Sequence, residues 1–111
     1  MDSLNRYREI IEQLLTRLAA TPLNHPGVQD TTVFDRRTDQ YLVVREGWLN
    51  KRREHYIVAH LAITNGKIWI HADGTEEGLA SQLEGAGVPR SDIVLGFQPP
   101  HVRPLTEYSA A

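Results

Sequence analysis

The sequence predicts an α+β fold: an antiparallel meander sheet of four to five strands, with an N-terminal helix and a second helix after strand four packed on it. Three observations carry that expectation. The opening segment repeats apolar residues at helical spacing. The stretch from Thr31 to Ala72 breaks into short strand-like runs separated by turn residues. Between the last two of those runs lies Asn65-Gly66, a dipeptide suited to the two positive-φ positions of a type I′ hairpin.

Taken in order, Leu4, Tyr7, Ile10/Ile11, Leu14/Leu15 and Leu18 form one apolar stripe, with Arg6, Glu9, Glu12 and Arg17 opposite it. Asp2 or Ser3 is the expected N-cap. Thr21-Pro22 ends the helix, because proline disfavours the α conformation in the residue before it. Strands are expected over Thr31–Asp35, Tyr41–Leu49, Tyr56–Thr64 and Lys67–Ala72. The Asn-Gly turn sets a register: Ile63 faces Ile68, Ala62 faces Trp69, Leu61 faces Ile70 and His60 faces His71. Ile57, Leu61, Ile63, Ile68 and Ile70 then share the core face. Asp73 or Thr75 is expected to cap the second helix, whose buried side is Leu79, Ala80 and Leu83. Gly85 and Gly87 end it. Ile93–Phe97 reads as a fifth strand, stopped by Pro99-Pro100.

The bulk properties narrow the function classes. The 111 residues fit one domain, spanning 1–111. The absence of cysteine excludes thiolate metal sites and a cysteine nucleophile, and it fits a reducing cytoplasm. The start, MDSLNRYREI, lacks the apolar stretch of a signal peptide, and no run is long enough to span a membrane. A net charge of −2 lacks the basic excess of a protein that grips DNA through its phosphates.

Candidate sites follow from the register. The second sheet face carries Tyr56, Val58, Ala62 and Trp69, interrupted by His60 and His71. A sheet covered on one side should be polar there, so this face is expected to meet another copy of the chain or a partner. His60, His71 and Asp73, placed on that same face, are the weak candidates for a metal site. Arg36-Arg37 and Lys51-Arg52-Arg53, near Trp48 and Tyr56, are the candidates for nucleic-acid contact. They occupy successive turns of a meander, roughly 25–30 Å apart across a strand of that length, so one monomer cannot join them in a single groove. No GxSxG serine, phosphate loop or dinucleotide fingerprint is present, and no cofactor is expected.

The run from Asn65 to Tyr108, NGKIWIHADGTEEGLASQLEGAGVPRSDIVLGFQPPHVRPLTEY, resembles the C-terminal half of the XisI family of fdxN element excision controlling factors. The helix LNRYREIIEQLL, the segment VFDRRTDQYLVV and the pair Gly47-Trp48 resemble its first half in order and spacing. That resemblance implies an accessory protein of a programmed DNA rearrangement in heterocyst differentiation. A separate site-specific recombinase performs the strand exchange, and a XisH-type protein is the implied partner. It supplies no catalytic residues. Within the matched run, Asp73, Thr75 and Glu76 are expected to form a strand-to-helix cap and Arg103 a fixed exit for the tail, or all four a docking edge. The leading expectation is therefore a protein that binds a partner, with a homo-oligomer in prospect. The alternatives are a DNA-binding recombination directionality factor and a metal-dependent, nuclease-like enzyme.

Overall fold

The computed structural model describes residues 3–111. Asp2, one of the two expected helix caps, lies outside them. Helix α1 runs Ser3–Ala20 and buries Tyr7, Ile11, Leu14 and Leu15, the stripe read from the sequence. Strands β1 (Val28–Asp35), β2 (Gln40–Leu49), β3 (Arg52–Thr64) and β4 (Lys67–Asp73) form an antiparallel meander. Helix α2 (Leu79–Gly85) then leads to β5 (Ile93–Leu95), and the sheet order is β1-β2-β3-β4-β5. The last pair is parallel, which departs from a purely antiparallel sheet: α2 carries the chain back to the start of β4. This strand is also shorter than expected, and Phe97 lies beyond it, half exposed.

Both helices pack on one side of the sheet. Tyr7, Ile11, Leu15, Leu79 and Leu83 share a single core with Tyr41, Val43, Leu61, Ile68, Ile70 and Ile93. Ion pairs fasten α1 to the β1–β2 turn. Arg8 makes a forked pair with Asp39 at 2.8 and 3.1 Å, and the buried Tyr41 hydroxyl donates to the same carboxylate at 2.9 Å. The Arg8 guanidinium holds the Asp39 carboxyl below the usual carboxylate range. Arg36 forms a second forked pair with Glu12. The Tyr7 hydroxyl donates to Asp92, and burial together with that carboxylate pushes the phenol up to about 12.

The Asn65-Gly66 turn has φ of 53° and 75°, as a type I′ hairpin requires. The register beyond it holds for four pairs, from Thr64–Lys67 to Leu61–Ile70, and then slips. His60 faces Ala72 and not His71, because His71 is the extra residue of a β-bulge in β4. A second bulge lies in β3. Val43 faces Ala59 while Val44 faces Ile57, leaving Val58 as the extra residue. Val58 and Ala59 both enter the core. The inward set beyond the bulge is therefore shifted by one, and Ile57, expected inside, turns out and is 47% exposed.

Candidate protein-interaction face

The face away from the helices is set by the two bulges. From β1 it presents Thr31 and Val33, and from β2 Leu42, Val44 and Glu46. From β3 come Arg53, Ile57, His60 and Ala62, and from β4 Trp69 and His71. Val33 and Ile57 are half exposed. The apolar part forms a continuous band, because Val44 is paired with Thr31 on one side and Ile57 on the other, and Leu42 with Val33 and His60. One rim is charged: Arg53 pairs with Glu46 at 2.7 Å and lies over the Trp48 ring.

The other rim is closed by the C-terminal segment. A short 3-10 turn, Arg103–Leu105, brings the Arg103 guanidinium 4.8 Å from the Trp69 ring centre. Arg103 also donates to the Gln98 carbonyl at 3.1 Å. Farther on, Ser109 bridges to Val94 and donates its N–H to the Ile93 carbonyl, extending the β5 edge. The tail thus covers the β4–β5 side of the face and leaves the β1–β3 side open.

The expected interface residues divide accordingly. Ala62 and Trp69 lie on the sheet face away from the helices, but Ala62 is fully buried there and Trp69 lies under the Arg103 guanidinium. Val58 does not lie on that face: the β3 bulge turns it into the core, where it is 4% exposed. The same shift carries Tyr56 to the helix side, beyond the end of α1. There its hydroxyl accepts from Arg45, which forks onto Asp30 at 2.8 and 3.0 Å. Sequence reasoning missed Leu42, Val44, Ile57 and Val33 as members of this face. The signal was available for Val33, Leu42 and Val44, whose pairings follow from an unbroken β1–β2 register. For Ile57 it was not, because Tyr56-Ile57-Val58-Ala59 is uniformly apolar and fits either phase.

The metal candidates separate in the same way. The His60 and His71 rings are close, 4.9 Å between centres, and His60 Nε2 bonds Gln40 Oε1 at 2.7 Å. Asp73, expected on their face, points to the helix side, because the bulge at His71 flips the phase at the end of β4. Its carboxylate accepts from Thr75 and from the Leu79 N–H. Among the described residues no three His, Asp or Glu side chains group as metal ligands. The docking-edge candidates are likewise divided. Asp73 and Thr75 anchor α2 on the helix side, Glu76 is exposed, and Arg103 packs on the opposite face of β4.

Of the basic clusters, Arg36 is held by Glu12, Arg52 by Glu54 at 3.0 Å and Arg53 by Glu46. The two groups lie at opposite ends of β2, Arg36-Arg37 in the β1–β2 turn and Lys51–Arg53 where the β2–β3 turn enters β3.

Partial burial lowers the pKa of both His60 and His71. His60 is lowered further by His71, and His71 by Arg103. The folded protein therefore resists protonation at these rings, whereas the unfolded chain takes up protons below about 6.5. Their contribution to stability is present above that pH and is lost as pH falls through the lowered folded values. Thermal melts should show a lower midpoint at pH 5 than at pH 7.5. The double variant His60→Gln/His71→Gln should flatten that dependence; an unchanged slope would assign it to other groups.

These features define a class: a two-layer α+β domain with both helices on one sheet face and a half-apolar strip open on the other. The chain belongs to the XisI family, described as XisI protein, which it matches over residues 1–110. Two solved structures from Anabaena variabilis align over nearly the full length. One is the fdxN element excision controlling factor XisI, 38% identical, with a TM-score of 0.85, covering 99% of this chain and 100% of that one. The other is a XisI-like protein, 35% identical, with a TM-score of 0.91, covering 97% and 99%. No curated protein matches the chain.

Proposed function

We propose that the chain is an accessory controlling factor of DNA-element excision that works by binding a protein, with a XisH-type protein as the partner. Family membership supports the biological assignment, since a structure 38% identical carries the name of an fdxN element excision controlling factor. The observation that carries the binding mechanism is the open strip of Val33, Leu42, Val44 and Ile57 beside the covered Trp69. Contiguous apolar surface of this kind marks interaction sites. The internal pairing of Arg36, Arg52 and Arg53 speaks against phosphate binding, because a guanidinium already held by a carboxylate has less to offer a phosphate.

Co-purification with a XisH-type protein tests the reading. Ile57→Glu places a charge in the centre of the strip without touching the core, and should weaken capture by roughly a hundredfold, the scale of an interface hot spot. The variant's thermal midpoint should stay within a few degrees of the parent. Equal capture of parent and variant would remove the face from the interaction. A salt-steep affinity for duplex DNA, lost in Arg37→Ala/Lys51→Ala, would favour a DNA-binding directionality factor instead.

A further inference from the structure

The two edges of the sheet are treated differently. At the β5 edge the tail adds its own bridge, Val94 to Ser109. The β1 edge has no such cover. Trp48 donates to the Gly27 carbonyl, and the β1–β2 register continues from there without a shift. Hydrogen bonding alternates along an antiparallel pair, so Gln29, Thr31, Val33 and Asp35 bond to β2. Asp30, Thr32 and Phe34 point their N–H and C=O groups outward. Among the described residues none of these six groups has a partner within the chain.

Natural edges are usually blunted by lysine, proline, a bulge or an inward charge. The strand VQDTTVFD has no lysine, proline or glycine, and its pairing with β2 has no bulge. Its one inward charge, Asp30, is neutralised by Arg45. The strand is also self-complementary. When it is paired antiparallel with a second copy about Thr32, the outward-pointing groups meet as Thr32–Thr32, Asp30–Phe34 and Phe34–Asp30. That register makes six backbone hydrogen bonds and sets no like charges directly opposite. On the open face it puts Val33 against Thr31 of the other copy, covering a valine that is 50% exposed. On the helix side, an open depression of about 440 Å³ between α1 and Phe34, lined by Glu12, Gln13, Thr16 and Arg17, gives room for the side chains of an added strand.

We infer that β1 is a dimerisation edge, taking β1 of a second copy of the chain in a two-fold, antiparallel register centred on Thr32 to make one continuous sheet. The symmetry is closed, because the β5 edge is occupied by the tail and no third copy can add. The inference does not rest on the partner reading above, which uses the sheet face; the two surfaces share only Val33, where face meets edge.

Thr32→Pro is the informative change. Its N–H points outward, so proline removes no bond within the chain, but it removes both central bonds of the dimer. Sedimentation or native mass measurement across a concentration series should give a dimer for the full chain, with a dissociation constant raised roughly tenfold or more in the variant. Amide exchange at Asp30, Thr32 and Phe34 should be slow in the dimer and fast in the variant. The second readout covers the case in which proline disturbs folding: a parent whose three amides exchange freely at concentrations where it is dimeric overturns the inference. So does a parent that stays monomeric into the hundreds of micromolar, or a dimer that Thr32→Pro leaves intact. Loss of XisH-type capture in Ile57→Glu with the dimer retained would separate the two surfaces.

Discussion

Replacing Gly47 by alanine should be among the most damaging single changes in this chain, costing about 3 kcal/mol or more. The residue is buried in the second half of β2, with φ at +146°, a region that side-chain-bearing residues rarely adopt. A Cβ there would lie 2.0 Å from the Gly27 carbonyl oxygen and 2.7 Å from the Val28 Cα. Both are backbone atoms, one just before and one at the start of the opposing strand, so no rotamer change can relieve the contact. The β1–β2 ladder would have to open where Trp48 bonds to Gly27 at 2.9 Å. Gly66→Ala is the control. It too has positive φ, at +75°, but a Cβ would meet nothing within 4 Å, and only the conformational cost of about 1 kcal/mol remains. Thermal unfolding should show a midpoint lowered by roughly 12–25 °C for Gly47→Ala and by only a few degrees for Gly66→Ala. Equal shifts would mean that the close strand approach is not what fixes the glycine.

The Gly47-Trp48 pair was visible in the sequence only as part of a resemblance; its physical reason needs the opposing strand. The same division runs through the fold. Elements whose signal is local were legible: the α1 stripe, the Asn65-Gly66 turn and the four pairs that register from it. What was not legible depends on a one-residue slip. A bulge leaves no mark in composition, and β3 has consecutive apolar residues at the place where its phase changes. One such slip exchanged Ile57 for Val58 between core and surface. A second moved Asp73 away from the two histidines. Of the four residues expected on the sheet face opposite the helices, Ala62 and Trp69 therefore lie on it, while Tyr56 and Val58 turn to the helix side. The ion pairs between α1 and the β1–β2 turn were also out of reach, since Arg8 and Asp39 come together only when the helix lies across the sheet.

Asp73 gives the clearest separation between a structural and a binding role for the segment that joins β4 to α2. Helix α2 is short, and its N-cap is Gly78, which has no side chain to cap it. Asp73 does that work from five residues upstream. One carboxylate oxygen accepts from the Thr75 N–H at 2.9 Å and from its hydroxyl, and the other accepts from the Leu79 N–H at 2.8 Å. Thr75 in turn accepts from the Gly78 N–H at 3.1 Å. The bulge at His71 is what aims Asp73 at the helix, so the slip that broke up the metal candidates also built the cap. Asp73→Ala leaves three donors without their acceptor at the entrance to α2, whose Leu79 and Leu83 are fully buried. The expected cost is about 2–3 kcal/mol, a lost cap plus charge-assisted bonds. Asp73→Asn keeps one acceptor oxygen and should recover part of that loss. Amide exchange should rise at Leu79 and Leu83 in the alanine variant while the amides of β2 and β3 stay protected, because the damage begins at the helix. A variant that keeps parental stability and exchange but fails to capture a XisH-type partner would move Asp73 from the scaffold to the interface.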